Sequence, residues 1–227
     1  MGTLTLTQME NEIRYNLGGR TDLDSRLVTF LNWAQTEIAR QYTFRELQQT
    51  DTTKTTVDGQ DYIAAPTGIK DLFSIRLLDG TSSRKLIYVP DRTFDALVPK
   101  PDEYTEGRPS HFYVWGGNFY LWRIPDDAYS TRIRYSSWPT DLSGSGDTSD
   151  LVKLDEALVA LATAKAFDSV DADEKKIYRW SNRARYHINL AIRNDKDSYT
   201  DEVISSDYRL SESGPDYWKD PFVRTVF

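Results

Sequence analysis

Hydrophobic and polar positions along this chain follow three successive textures. Leu23, Leu27, Phe30, Leu31, Ala34 and Ile38 recur at three- and four-residue intervals, the stripe of a helix with one buried face. Arg26, Thr29, Asn32, Gln35, Thr36 and Arg40 fill much of the other face, and Thr21 or Asp22 is the expected N-cap. A shorter helix is predicted before it. Thr7 and Glu10 have the spacing of a capping box, and Gly18-Gly19 gives a stop signal.

From Thr43 the period shortens. The β-favouring run Thr50 to Val57 stops at Asp58-Gly59, a hairpin signal, and Tyr62-Ile63-Ala64 follows. Phe73, Ile75 and Leu77 alternate with polar residues up to a turn at Asp79-Gly80, and Lys85 to Tyr88 reads as one short strand. Asp91 to Leu97 reads as a helical turn. Strands His111 to Trp115 and Phe119 to Ile124 flank a turn at Gly116-Gly117-Asn118, and Arg132 to Tyr135 is a further strand. Six or seven short strands with this punctuation predict a sandwich or a small barrel.

Ser143-Gly144-Ser145-Gly146-Asp147 reads as a flexible joint, after which helix returns. Leu151, Leu154, Leu158, Leu161 and Ala162 mark one stripe, but Val152, Ala157, Val159, Ala160, Ala164, Ala166 and Phe167 fill much of the rest. A helix apolar nearly all round is buried on more than one side. Asp171 or Asp173 caps the next helix, with stripe Ile177, Trp180, Ala184, His187/Ile188 and Ala191. The layout is α+β. A helical platform comes from the two ends (7–42 and 149–196), with an antiparallel, sandwich-like β module inserted between them (43–142). Residues 1–197 form one domain, and 198–227 form an extended C-terminal arm.

Charge and composition sharpen this picture. The formal net charge is −7, yet residues 172–196 hold seven Lys/Arg against three Asp/Glu, and residues 197–227 hold seven acids against three bases. The arm also carries Tyr199, Tyr208, Tyr217, Trp218, Phe222 and Phe227, which suits a segment that docks rather than one that merely solvates. Zero Cys excludes disulfide frameworks, thiolate metal sites and cysteine nucleophiles, and two His exclude a three-histidine metal site. The acidic balance argues against a general nucleic-acid binder. No apolar run reaches membrane-spanning length, and the first residues predict neither a signal peptide nor myristoylation.

Few residues suggest chemistry. Phosphate-loop, dinucleotide, nucleophile-elbow and HExxH motifs are lacking. The acid pairs Asp126-Asp127, Asp155-Glu156 and Asp173-Glu174 sit where turns and helix starts expect acids, although paired carboxylates also serve glycoside hydrolysis. His111 and His187 read as satisfied core or interface residues. Trp115, Tyr120 and Trp122 fit an intersubunit or tail contact, sandwich core, or a sugar-binding surface. The basic last helix fits a solvated face, an acidic neighbour or DNA phosphates.

Four stretches resemble the head-to-tail adaptor (connector, head-completion) proteins of tailed bacteriophages. They are Arg20-Thr21-Asp22 leading into residues 30–39, Gly107 to Trp115 leading to Tyr120 to Asp126, Arg132 to Leu142, and Leu151 to Val159 continuing to Ala166-Phe167. The resemblance implies a structural virion protein of the neck, without enzymatic activity, cofactor or metal. It implies a ring of twelve copies between portal and tail, with DNA passing through its channel without specific binding. Because a cationic wall would hold phosphates non-specifically, the acidic chain is expected to face that channel with a neutral or acidic surface. Portal protein and a tail, nozzle or stopper protein are the implied partners, and the C-terminal arm the implied portal grip. A neck stopper or tail component is the alternative within a virion; a carbohydrate-binding or glycoside-processing module is the alternative outside one.

Overall fold

The computed structural model describes residues 4–78, 83–170 and 173–197. Its element order is α1 (Leu6–Asn16), α2 (Asp24–Gln41), β1 (Gln48–Asp51), β2 (Tyr62–Ala64), β3 (Ile69–Leu78), β4 (Ser83–Lys85), β5 (Ile87–Tyr88), α3 (Asp91–Leu97), β6 (His111–Trp115), β7 (Asn118–Trp122), β8 (Ser130–Ser137), α4 (Asp155–Val170) and α5 (Glu174–Asp197), with short 3-10 turns at Arg45–Leu47 and Pro101–Glu103. The class is α+β, as the pattern predicts.

α1 begins two residues earlier than expected. Its capping box joins Thr5 and Gln8, not Thr7 and Glu10: the Thr5 hydroxyl accepts from Gln8 N, and the Gln8 side chain accepts from Thr5 N. Both pairs have suitable spacing, but the buried stripe of Leu6, Met9 and Ile13 must start at Leu6. Thr7 instead donates to Ser145 O. The helix closes at Gly18 and Gly19, whose φ values of 76° and 80° favour glycine. Neither Thr21 nor Asp22 caps α2. Its N-cap is Leu23 without a side-chain bond, because the Asp22 carboxylate is taken by Arg20 at 2.8 Å. Every member of the predicted α2 stripe is buried.

α4 packs against α1 and α2 on one side and α5 on the other. Ala157, Ala160, Ala162, Ala164 and Ala166 are all buried and let these backbones approach. Thr163, buried with them, donates to Val159 O at 2.7 Å and so satisfies its own hydroxyl. The segment from 149 to 154 lies outside the helix, although Leu151 and Leu154 are buried in the same core. Asp173 caps α5, accepting from Lys175 N at 3.1 Å. The predicted flexible joint is a hydrogen-bonded turn. The Asp147 carboxylate accepts from Ser143 N and Gly144 N, while Leu6 N donates to Asp147 O.

The β module is a sandwich of two four-stranded sheets, ordered β1-β8-β3-β4 and β2-β7-β6-β5. Ile75, Leu77 and Ile133 from the first sheet meet Ile63, Phe112, Phe119 and Leu121 from the second. Several strand expectations are corrected. The run from Thr50 to Val57 is a strand only to Asp51, and Asp58-Gly59 is not a hairpin: β1 and β2 belong to different sheets, so the chain must cross between them. Phe73 does not follow Ile75 and Leu77 inward. A register shift between Leu72 and Ser74 turns it outward, to 46% exposure. Lys85 to Tyr88 is two strands. Buried Leu86 carries the chain from β4 in one sheet to β5 in the other, where β5 pairs parallel to β6 rather than antiparallel. The strand after Gly116-Gly117 ends at Trp122 rather than Ile124. The Asp79-Gly80 turn and Asp171 lie outside the described residues.

Side chains of α2 fasten the sandwich to the helices. Asn32 donates to Leu142 O and accepts from Leu142 N, and buried Gln35 donates to Thr140 O at 2.7 Å. Lys70 of β3 donates to Ala39 O at 2.7 Å, at the end of α2. Gln35→Ala is expected to lower the unfolding free energy by about 2 kcal/mol, because it strands buried polar partners. Leu158→Ala should cost about 3 kcal/mol by opening a cavity in α4's packing. Chemical denaturation measures both.

Candidate contact surfaces

Two surfaces among the described residues carry residues singled out from the sequence. The first is the outer face of the second sheet. The turn between β6 and β7 consists of Gly116 and Gly117, both with positive φ, so Trp115 pairs with Asn118, Tyr113 with Tyr120 and His111 with Trp122. Alternation then puts Tyr113, Trp115, Tyr120 and Trp122 on one face, with Tyr62 of β2 beside them. Tyr113 and Tyr120 stack at 5.1 Å, and Tyr62 lies 5.8 Å from Tyr120. α3 lays buried Phe94 across this face, 4.5 Å from Tyr113 and 6.1 Å from Trp122. Tyr104 meets Trp122 edge-on at 4.8 Å.

The structure therefore joins Tyr120 and Trp122 through one aromatic cluster and leaves Trp115 at the hairpin tip, 61% exposed. Tyr62, Phe94, Tyr104 and Tyr113 complete the cluster and were not singled out from the sequence. The strand pattern itself marks Tyr113, which shares Trp115's side of the strand and faces Tyr120 across a two-residue turn. Burial pushes the Tyr113 hydroxyl above its ordinary pKa, helped by nearby Asp61 and Asp95.

The second surface is the outer face of α5. Tyr178 and Tyr186 are 69% and 66% exposed. Lys175, Arg179, Arg185 and Arg193 are exposed with them and make no ion pair among the described residues. Tyr199, Tyr208, Tyr217, Trp218, Phe222 and Phe227 all lie outside the described residues.

The candidate histidines and the acids Asp126, Asp127 and Asp155 have local partners. His187 of α5 meets Glu156 of α4 at 3.1 Å, and His111 Nδ1 lies 2.9 Å from Ser110 Oγ. Tyr129 donates to Asp126 at 2.8 Å, and Asp127 accepts from Ala128 N in the same turn. Asp155 accepts from Leu4 N at 3.1 Å, but burial outweighs that bond and holds its pKa above the ordinary carboxylate value. No cluster of three or more metal-ligating side chains occurs among the described residues, and no described helix is long and apolar enough to cross a membrane.

What these surfaces offer chemically is contact: exposed aromatics, guanidinium groups and a braced sheet face, the composition of protein–protein interfaces. The molecule is a helical body carrying a β-sandwich. The SU10 adaptor protein family matches residues 4–207, which covers both the helical body and the sandwich, and the chain belongs to this phage adaptor family. No curated protein matches it comparably. Membership implies a structural part in a virion, at the neck, with portal and tail components as neighbours.

Phe94→Ala should cost about 3 kcal/mol of stability, because α3 loses its anchor. Trp115→Ala should stay within about 0.5 kcal/mol, because its ring is already solvated. Denaturation of the pair separates the structural aromatics from the exposed one. For Asp155, the raised folded-state pKa means that its ionisation opposes folding. Stability should fall as pH rises from the ordinary carboxylate value through the raised one, and Asp155→Asn should flatten that descent in unfolding measured across the acidic range.

Proposed function

We propose that this chain is a head-to-tail adaptor that assembles as a ring of twelve copies between portal and tail, around the path of the DNA. The helical platform forms the ring, the sandwich makes lateral or tail-side contacts, and residues 198–227 grip the portal. The carrying observation is the family match across helices and sandwich together. The physical chemistry agrees. Arms engaging one portal side by side raise each other's effective concentration, so each needs only modest affinity. Trp218 and Phe222 supply large anchors for such a contact.

DNA must pass rather than stick, and a cationic wall would hold phosphates without regard to sequence. The lumen is therefore neutral or acidic, and the cationic face of α5 is turned toward an acidic protein neighbour. A second reading rests on the same face, because exposed Lys175, Arg179, Arg185 and Arg193, which make no ion pair among the described residues, also suit contact with DNA phosphates. Duplex binding that falls steeply with salt, and that is lost in Arg179→Glu/Arg185→Glu, would establish that second reading.

Deleting residues 198–227 should abolish co-purification with the portal while leaving the thermal unfolding midpoint unchanged. Undiminished portal binding by the truncated chain would overturn the assignment of the arm.

A further inference from the structure

The two sheets are incompletely paired along the side where β4 and β5 run. β4 pairs with β3 only at Arg76, Leu77 and Leu78, and β5 pairs with β6 only at His111 and Phe112. Among the described residues, positions 69–74 of β3 and 113–115 of β6 therefore have no strand beside them on that side. Between these two open edges lies a cleft of about 680 Å³. Leu72, Phe73, Ile87, Tyr88, Phe112 and Val114 line it, and Phe73, Ile87, Tyr88 and Val114 are 43–57% exposed. Its rim is cationic: Lys85 lines the cleft, and Lys85 and its neighbour Arg84 are exposed. An acidic occupant would meet both charges.

An apolar groove between open strand edges suits an extended peptide that adds as a strand. The chain carries a segment of matching chemistry just past α5. Asp201-Glu202-Val203-Ile204-Ser205-Ser206-Asp207-Tyr208 places two β-branched apolar residues between acids. The family match runs to residue 207, which takes in most of this segment and leaves Tyr217, Trp218, Phe222 and Phe227 beyond it.

Topology favours a neighbouring copy as the supplier. Asp195, in the last turn of α5, is bonded to Arg45 at 3.2 Å, and Arg45 opens the turn leading into β1. The segment thus departs beside β1, while the cleft lies at β4, the opposite edge of the same sheet. To enter its own copy's cleft, the chain would spend the four residues from Asp197 to Asp201, about 13 Å at full extension, on crossing a sheet about 14 Å wide between its outer strands. A neighbour set with its β4 edge against this β1 edge brings its cleft within reach. Such a contact is head-to-tail, the kind that closes rings.

We propose that residues 201–208 of each copy add as a strand in the β3–β6 cleft of the next copy, locking the ring, while the remainder of the arm reaches the portal. The proposal rests on the ring reading. The chain has no cysteine, so an introduced pair reports one contact. The full chain carrying Ile204→Cys and Phe73→Cys, mildly oxidised, should give a ladder of covalent multimers. Its yield should exceed severalfold that of Ile204→Cys with Tyr15→Cys, a control on the exposed side of α1. Arg84→Glu/Lys85→Glu should reduce the ladder. Rings visible by electron microscopy without a ladder overturn the strand exchange and leave the ring standing. Crosslinked product at monomer mass alone also overturns it. Absence of any oligomer, alone or on the portal, overturns the ring reading and this inference with it.

Discussion

The structure depends on covering α4. Its residues are apolar on almost every side, so one helix or one sheet face cannot bury it. α1 and α2 from the start of the chain take one side and α5 from the end takes the other. Segments more than a hundred residues apart in sequence are thereby drawn into one core, and everything between α2 and α4 must leave that core and return to it. The sandwich is an insertion for this reason. Asn32 and Gln35, in the middle of α2, hold the returning strand's exit at Thr140 and Leu142 and so fix where the sandwich stands on the helices.

That fixed attachment gives the sandwich its usable surfaces. Its inner faces are consumed by the core of Ile75, Leu77, Ile133, Phe112, Phe119 and Leu121. The outer face of the second sheet is braced by α3, which turns Tyr113, Tyr120 and Trp122 into a rigid platform and leaves Trp115 at the tip. Charge is separated in the same way. The chain is acidic overall, yet α5 presents Lys175, Arg179, Arg185 and Arg193 outward together. Copies with the same net charge repel, and packing side by side requires opposite surfaces at the two ends of the contact.

Much of this was legible from the amino-acid pattern, because period and stop signals are local. The α2 stripe from Leu23 to Ile38, the all-round burial of α4, the Asp173 cap and the Gly116-Gly117 hairpin each follow from residues a few positions apart. The local pattern misleads where two options are equally good. Thr5/Gln8 and Thr7/Glu10 have the same spacing, and only the start of the buried stripe at Leu6 chooses between them. Phe73 continues the alternation of Ile75 and Leu77, and only the bulge beside Ser74 turns it outward.

The sequence by itself determined the helix and strand periods, the separation of charge along the chain and the α+β class, because these depend on side-chain spacing within single elements. The tertiary structure decided the rest. Two sheets rather than a closed barrel follow from the crossing at Leu86, which no local propensity encodes. The aromatic cluster needed α3 to bring Phe94 onto β6 and β7. The stretch from Ser143 to Asp147, flexible by composition, is ordered because Leu6 and Thr7 of α1 donate to it from the far end of the chain. Contacts of that range are set by which surfaces the whole chain can bury at once, and a window of neighbouring residues does not contain that information.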